Sequence, residues 1–306
     1  MSTTQTAPRL SLIVPTMKRL DDVRRLLASI QQNLPASLEV IIVDQNEDSL
    51  LDAVCAEFSS VFPLRHEKIK PAGAARARNH GLQFARGGII NFPDDDCELT
   101  PDLLARVSER FATDAGLDML FGKAVDRESL QRSVTRFSDT AQPVTASNVF
   151  STTVEFTMFL RRGVFDEIGL LDERLGVGTY FGAEEGSDFV LRALYAGKRL
   201  EYDPSLLFYH AQKVGKYDAA EFRRAFSYGR GFGRLTMKHL LRYKRPGALL
   251  RFVHFQARAA AAVLLFAARG DFPRSRYYLN VVLGRITGAL RSAGEFLRPD
   301  SAPASS

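Results

Sequence analysis

A chain of 306 residues, 45% hydrophobic and 25% charged, can bury a full core, which excludes wholesale disorder and leaves room for one large domain and an appendage. Its two cysteines, Cys55 and Cys97, lie far apart without metal-ligand spacing, which excludes a disulfide framework and a cysteine zinc site and fits a reducing cytosol. The net charge of +6 is uneven: from Lys213 to Arg298 there are 18 Lys/Arg against 4 Asp/Glu, a local balance of +14, so the remainder sums to −8.

The polar first residues lead into a short apolar run ending at Pro15, without a charged start and long apolar stretch. No signal peptide is expected, and the chain is expected to be cytoplasmic. Leu10 to Val14 reads as a buried strand, and Leu20, Val23, Leu26, Leu27 and Ile30 carry helical spacing. Val40 to Val43 is a second strand, followed by a helix from Ser49 to Phe58 and an extended piece near Leu64 to Ile69. An alanine-dense helix from Gly73 to Phe84 and a strand from Ile89 to Phe92 complete an alternation that predicts βαβ units and a mostly parallel sheet. The middle, about Asp126 to Ser151, is polar and reads as loop with short elements. Val154 to Leu160 then reads as a strand, Phe165 to Gly169 as a short helix, and Ser187 to Ala196 as a helix closed by Gly197. Beyond Asp218 the pattern is helical almost throughout.

Three adjacent carboxylates, Asp94, Asp95 and Asp96, follow the strand ending at Pro93. In an open α/β sheet ligands bind beyond the carboxyl ends of the strands, where Asp44 also falls. Hard oxygen ligands of this kind suit Mg²⁺ or Mn²⁺, especially with a diphosphate completing the shell. The alternative is a solvated acidic turn ahead of a helix started by Thr100-Pro101-Asp102. Likewise Asp44 can be a plain turn residue, and Arg76 and Arg78 can be surface charge on a helix. In a second acidic cluster, Glu184-Glu185-Gly186-Ser187-Asp188, Ser187 or Asp188 can simply cap the following helix.

Four fragments in order resemble glycosyltransferase family 2: Ile13-Val14-Pro15-Thr16; Asp44 after Val-Ile-Ile-Val; Gly73 through Gly81, reading GAARARNHG; and Asn91-Phe92-Pro93-Asp94-Asp95-Asp96. The resemblance implies a GT-A fold, an α/β sheet with flanking helices over residues 8–212, with a basic helical C-terminal region over 213–298 and flexible ends at 1–7 and 299–306. It implies an inverting, metal-dependent transfer of a single sugar from a nucleotide-sugar donor, UDP- or GDP-linked. Pro15 and Thr16 would flank the nucleoside, Asp44 would bind the base or ribose edge, Arg78 would stand near the pyrophosphate, and Gly73 would belong to the donor site. Asp94 would hold the donor's ribose, with Asp95 also in the donor site. Asp96, with Asp94 and His210, would ligate Mg²⁺ or Mn²⁺, although His210 can equally be structural. The family's acidic pair before a Leu-Arg helix corresponds to Glu184, Glu185 and Asp188 ahead of Leu191-Arg192, and Glu185 is the first choice as base, with Asp188 second. A further aspartate, common in the family after the second strand, is Gln45 here, which bears on base recognition.

Tyr228-Gly229-Arg230-Gly231-Phe232-Gly233-Arg234 superficially matches a glycine-rich nucleotide loop, but no strand precedes it, and a membrane or diphosphate contact is the expectation. From Gly247 to Arg291 apolar residues alternate with arginines. The longest uncharged run, Ala259 to Ala268, is half of what a spanning helix needs. An anionic membrane surface, a homodimer contact or packing on the core can all use such helices, whereas no nucleic-acid module is recognisable. The expected acceptor is lipid-linked or another glycan in surface polysaccharide assembly, with the enzyme peripheral on the inner membrane face. A nucleotidyltransferase and a non-catalytic membrane scaffold are the alternatives.

Overall fold

The computed structural model describes residues 9–34, 37–131, 133, 137–212 and 216–297. The expected flexible ends, 1–7 and 299–306, and the boundary residue Lys213 lie outside them. Two compact units divide the chain: residues 9–171 with 186–212, and residues 172–185 with 216–297.

In the first unit β1 (Leu10–Thr16) and β2 (Leu38–Asp44) are buried at all seven positions, as expected of parallel strands covered on both faces. Helix α1 (Leu20–Gln31) buries Val23, Leu26, Leu27 and Ile30, the predicted stripe. Then come α2 (Asp52–Ser59), β3 (Leu64–Lys68), α3 (Ala74–Leu82) and β4 (Ile89–Asn91). β1 pairs in parallel with both β2 and β4, and β3 adds outside β2. Thr16 stands opposite Asp44 in that register. The alanines and Gly81 let α3 lie tight on the sheet: a Cβ on Gly81 would sit 2.4 Å from Ile13 and 2.9 Å from Val43.

The second half of this unit is mixed. It contains β5 (Cys97–Leu99), α4 (Leu103–Thr113), β6 (Met119–Val125), β7 (Gln142–Pro143), α5 (Val149–Thr152), β8 (Met158–Arg161), α6 (Val164–Ile168), α7 (Glu185–Tyr195) and β9 (Leu200–His210). The sheet runs β3-β2-β1-β4-β8-β6-β9-β5, with β7 paired to β9. β8 is antiparallel to β4 and β6, β6 runs parallel to β9, and β5 is antiparallel to β9. The stretch read as one strand from Val154 is a 3-10 turn, Glu155–Thr157, leading into β8.

The second unit is helical: α8 (Ala219–Met237), a π-helical turn (Lys238–Arg242), α9 (Gly247–Ala268) and α10 (Phe272–Phe296). Asp218 caps α8 through the Glu221 N–H at 2.8 Å, and Asp271 caps α10 through that of Arg274 at 3.1 Å. The glycine-rich Tyr228–Arg234 stretch is not a loop but the middle of α8. Its Gly229 and Gly233 and α10's Gly284 and Gly288 bring the two backbones so close that added Cβ atoms would meet facing main chain at 2.8 Å or less. Arg234, fully buried, pairs with Glu295 at 2.7 Å and lies over the rings of Phe181 and Phe296. Lys238 pairs with Asp172 at 2.8 Å, so part of the basic charge is spent inside the unit. Among the described residues α9 is long and apolar enough to cross a membrane by length and composition, despite the short uncharged run.

Candidate active site

The ends of β1 and β2 form one polar cluster. Asp44 is completely buried; its Oδ1 accepts from the backbone and side-chain amides of Asn46 at 2.8 and 2.7 Å, and its Oδ2 lies 2.9 Å from His66 Nε2. Asn46 in turn accepts from the Lys18 N–H at 2.8 Å, fixing the loop after β1. Gln45 bonds through its backbone N–H to the Thr16 carbonyl at 3.0 Å and accepts from the Gly73 N–H at 2.7 Å. The residue that departs from the family pattern therefore ties β1, β2 and the start of α3 together. A carboxylate offers about four acceptor positions, so Asp44 retains capacity for a ligand donor.

Asp44, His66 and Asp52 also bring ligand atoms within 4.8 Å of one another, a group that could hold a cation. Lys68 already lies 3.0 Å from Asp52 and would have to yield.

The aspartate triplet follows β4 and Pro93. Pairing of β5 with β9 sets Cys97 opposite His210, and that register brings His210 Nε2 to 3.4 Å from Asp96. His210 is buried, stacks on Phe156 at 5.3 Å, and its Nδ1 has no partner among the described residues. Arg78 reaches from α3 to Asp94 at 2.8 Å, its side chain only 5% exposed. Arg19, 43% exposed, spans the other two, with Nε 3.4 Å from Asp95 and Nη1 3.1 Å from Asp96. Burial pushes the Asp95 carboxyl up to about 7; the Thr16 hydroxyl and Arg19 work against the rise, and the charges of Asp96 and Asp94 add to it. Burial, seconded by the triplet's charge, likewise drives the Cys97 thiol upward.

Asp94, Asp95 and Asp96 offer carboxylates and His210 an imidazole, donors whose chemistry suits a hard divalent cation, with Arg19 bridging Asp95 and Asp96. The charges of Asp96 and Asp94, which add to the rise that burial imposes on Asp95, are repulsion such an ion would relieve.

The second acidic cluster is split between the two units. Glu184 and Glu185 belong to the helical unit. Glu184 holds a left-handed φ of 80°, an uncommon conformation for a residue with a side chain. Glu185 opens α7 and is buried, its carboxyl lying over Gly176, where any Cβ would come within 2.8 Å. Asp188, in the first unit, is completely buried and accepts from Arg192 Nε at 2.9 Å. Arg192 also donates to the Leu170 carbonyl at 2.7 Å and to that of Ile168. The helix begins at Glu185, so Ser187 and Asp188 lie inside its first turn rather than at the position before it. Glu155 serves that end instead, accepting from the Gly186 N–H at 3.1 Å.

Arg19, Asn46, His66 and Glu155 were not identifiable as site residues from sequence. Each meets its partner across a turn or from another strand. The one available signal was Arg19, a cation just beyond the Pro15-Thr16 strand end.

A sheet that is parallel through β3-β2-β1-β4, with Asp44 ending β2, the aspartate triplet after β4 and an antiparallel return, is the architecture expected of the GT-A fold. The family model described as glycosyl transferase family 2 matches residues 11–169, just over half of the chain, and the chain belongs to that family. An uncharacterized glycosyltransferase of Haemophilus influenzae is 26% identical over 196 residues, 60% of this chain and 62% of that protein, so the matched region spans less than two thirds of this relative. A GalNAc(5)-diNAcBac-PP-undecaprenol beta-1,3-glucosyltransferase of Campylobacter jejuni is 29% identical over 124 residues, 39% of this chain and 38% of that one. Among solved structures, the mannosyltransferase PcManGT of Pyrobaculum calidifontis, in complex with GDP-Man and Mn²⁺, superposes with a TM-score of 0.61. It is 20% identical, with 92% of this chain and 88% of that chain covered. Similarity at this level establishes the fold.

Proposed function

We propose that the protein transfers one sugar from a UDP- or GDP-linked donor to a lipid-linked acceptor, with inversion, at the inner face of the membrane. The observation that carries this reading is the triplet Asp94–Asp96 with a different cationic or imidazole partner at each end. Relatives add support: one is named for an undecaprenyl-diphosphate acceptor, and a structural neighbour was solved with GDP-Man and Mn²⁺.

Thr16, Asp44 and Gly73 cradle the nucleoside, and Arg78 faces the pyrophosphate while steadying Asp94. Asp96 and Asp94, with His210, would hold a Mg²⁺ or Mn²⁺. When bound, that ion supplies a Lewis acid that stabilises the departing nucleoside diphosphate. Glu185 takes the proton from the acceptor hydroxyl as its oxygen attacks the anomeric carbon, and the carbon–oxygen bond to the diphosphate breaks on the opposite face. Asp188, which pairs with Arg192 at 2.9 Å, is the second choice as base. Glu184 shapes the turn before the base.

Two measurements test the reading. Calorimetric titration with UDP and GDP, with and without Mn²⁺, should give binding to one nucleotide that Mn²⁺ strengthens; no binding under any condition removes the enzyme reading. With a donor and membrane extract as acceptor source, Glu185→Gln should abolish transfer while leaving nucleotide binding intact. Activity retained in Glu185→Gln but lost in Asp188→Asn would transfer the base role to Asp188.

A further inference from the structure

The C-terminal helices carry a surface that sugar transfer does not use. α9 is 22 residues long, yet only Ala259 is buried. At 100° per residue, Leu250, Val253, Ala257, Ala261, Leu264 and Ala268 fall on one side, and Leu250 and Leu264 are 74% and 73% exposed. No charged residue interrupts that side. Arg251, Arg258 and Arg269 fall within about 20° of one another around the axis, along one edge of the stripe.

The opposite side of α9 is built for protein. Phe252 and Phe255 pack on Phe232 of α8 at 6.2 and 5.6 Å between ring centres, and Phe266 stacks on Tyr278 of α10 at 5.6 Å. Two α10 side chains bond to α9 carbonyls, Arg285 to Phe255 at 2.7 Å and Ser275 to Val263 at 2.9 Å, and Gln256 returns a bond to Val282 at 3.1 Å. α9 is therefore fastened along its length to a helix carrying Arg274, Arg276, Arg285 and Arg291. Crossing a bilayer would carry those charges into hydrocarbon, which is costly. Lying in the interface buries the free stripe and leaves the arginine edge among headgroups.

We propose that the outer face of α9 binds flat on an anionic phospholipid surface, the leucine and alanine stripe entering the acyl boundary and the arginine edge meeting lipid phosphates. Charge complementarity selects this occupant: the region from Lys213 to Arg298 has a balance of +14, and only basic residues flank the stripe. An antiparallel pairing with a second copy of the chain would set one arginine edge beside another. The inference rests on the helical unit and does not depend on the transfer reading.

The test uses the full chain and flotation with vesicles of phosphatidylcholine, alone or mixed with phosphatidylglycerol, at about 0.1 M salt, where charges are felt over about 10 Å. Binding is expected only to the phosphatidylglycerol vesicles, weakening at about 0.5 M salt and released by an alkaline carbonate wash. Leu250→Asp with Leu264→Asp should lower vesicle affinity at least about tenfold, and Arg258→Glu with Arg269→Glu should abolish the preference for anionic lipid. All four positions are exposed, so circular dichroism, melting temperature and nucleotide binding should be unchanged. Wild-type protein that ignores anionic vesicles, or a double-aspartate variant that floats as well as wild type, overturns the proposal. So does resistance to the carbonate wash, the mark of a spanning helix. A lipid-free dimer that the two aspartates dissociate would instead assign the face to a second copy.

Discussion

Asp95 is the residue at which the site works against the fold, and Asp95→Asn exposes the conflict. The carboxyl is pushed from 3.8 up to about 7, chiefly by burial. An acid whose pKa is raised on folding binds more protons in the native state than in the unfolded one, so its stabilising contribution is complete below about pH 4 and is lost as pH rises through about 7. A rise of about three units corresponds to a penalty of ~4 kcal/mol at about pH 8 and ~2 kcal/mol at about pH 5. Asparagine keeps the shape and removes the charge. It also loses the Arg19 contact, which at that exposure is worth about 1 kcal/mol at most. The variant should therefore be more stable than wild type by about 2–3 kcal/mol near pH 8 and by about 1 kcal/mol or less near pH 5, while losing activity. Urea unfolding followed by circular dichroism at both pH values, in chelator and without nucleotide, measures this. An equal gain at the two pH values, or a variant less stable than wild type near pH 8, would refute the electrostatic account.

Arg78→Ala removes the buried guanidinium that pairs with Asp94, and should weaken nucleotide binding about 10-fold to 100-fold by calorimetry and lower stability by about 1–3 kcal/mol. The Cys55 thiol is pushed up to about 12, mainly by burial with Asp44 and Asp52 adding, and Cys97 is raised by burial and the triplet. Both should resist a thiol-disulfide reagent in native protein at neutral pH, and both should react at once in urea. Rapid titration of either thiol in folded protein would contradict the burial.

The parallel half of the sheet was legible because β1 and β2 are unbroken apolar runs separated by helices of clear period. The return half was not, for identifiable reasons. β5 has three residues, β6 is interrupted by Gly122 and Lys123 where its register shifts, and β9 runs through Asp203, Pro204 and Ser205. None of these has the alternation or run length that marks a strand alone; each is held by its neighbours in the sheet. The site divides in the same way. Asp44 and the triplet stand at strand ends that the pattern predicts. The partners that set their chemistry are 76 residues away in the case of Arg19 and Asp95 and 22 in the case of His66 and Asp44, separations that only the fold closes.

The triplet's two arginines are not equivalent, and the difference bears on how a cation enters. Arg78 is buried on α3, its side chain only 5% exposed where it pairs with Asp94, so its guanidinium has no ready path into water. Arg19 approaches from the loop after β1, is almost half exposed, and bridges Asp95 and Asp96, where the divalent ion is proposed to contact Asp96. Its guanidinium thus occupies part of the space an ion needs and can withdraw into water at low cost. Two half-exposed ion pairs are worth about 1 kcal/mol together, so their loss should favour the competing ion by about fivefold. Arg19→Ala should therefore bind Mn²⁺ about fivefold more tightly than wild type in the absence of nucleotide, measured by the electron paramagnetic resonance signal of free Mn²⁺. With a nucleoside diphosphate present the advantage should shrink, because a displaced Arg19 is then within reach of the phosphates. Mn²⁺ affinity unchanged or weakened in nucleotide-free Arg19→Ala would mean that the arginine and the ion do not compete, and the cation would then have to be placed away from Asp95 and Asp96.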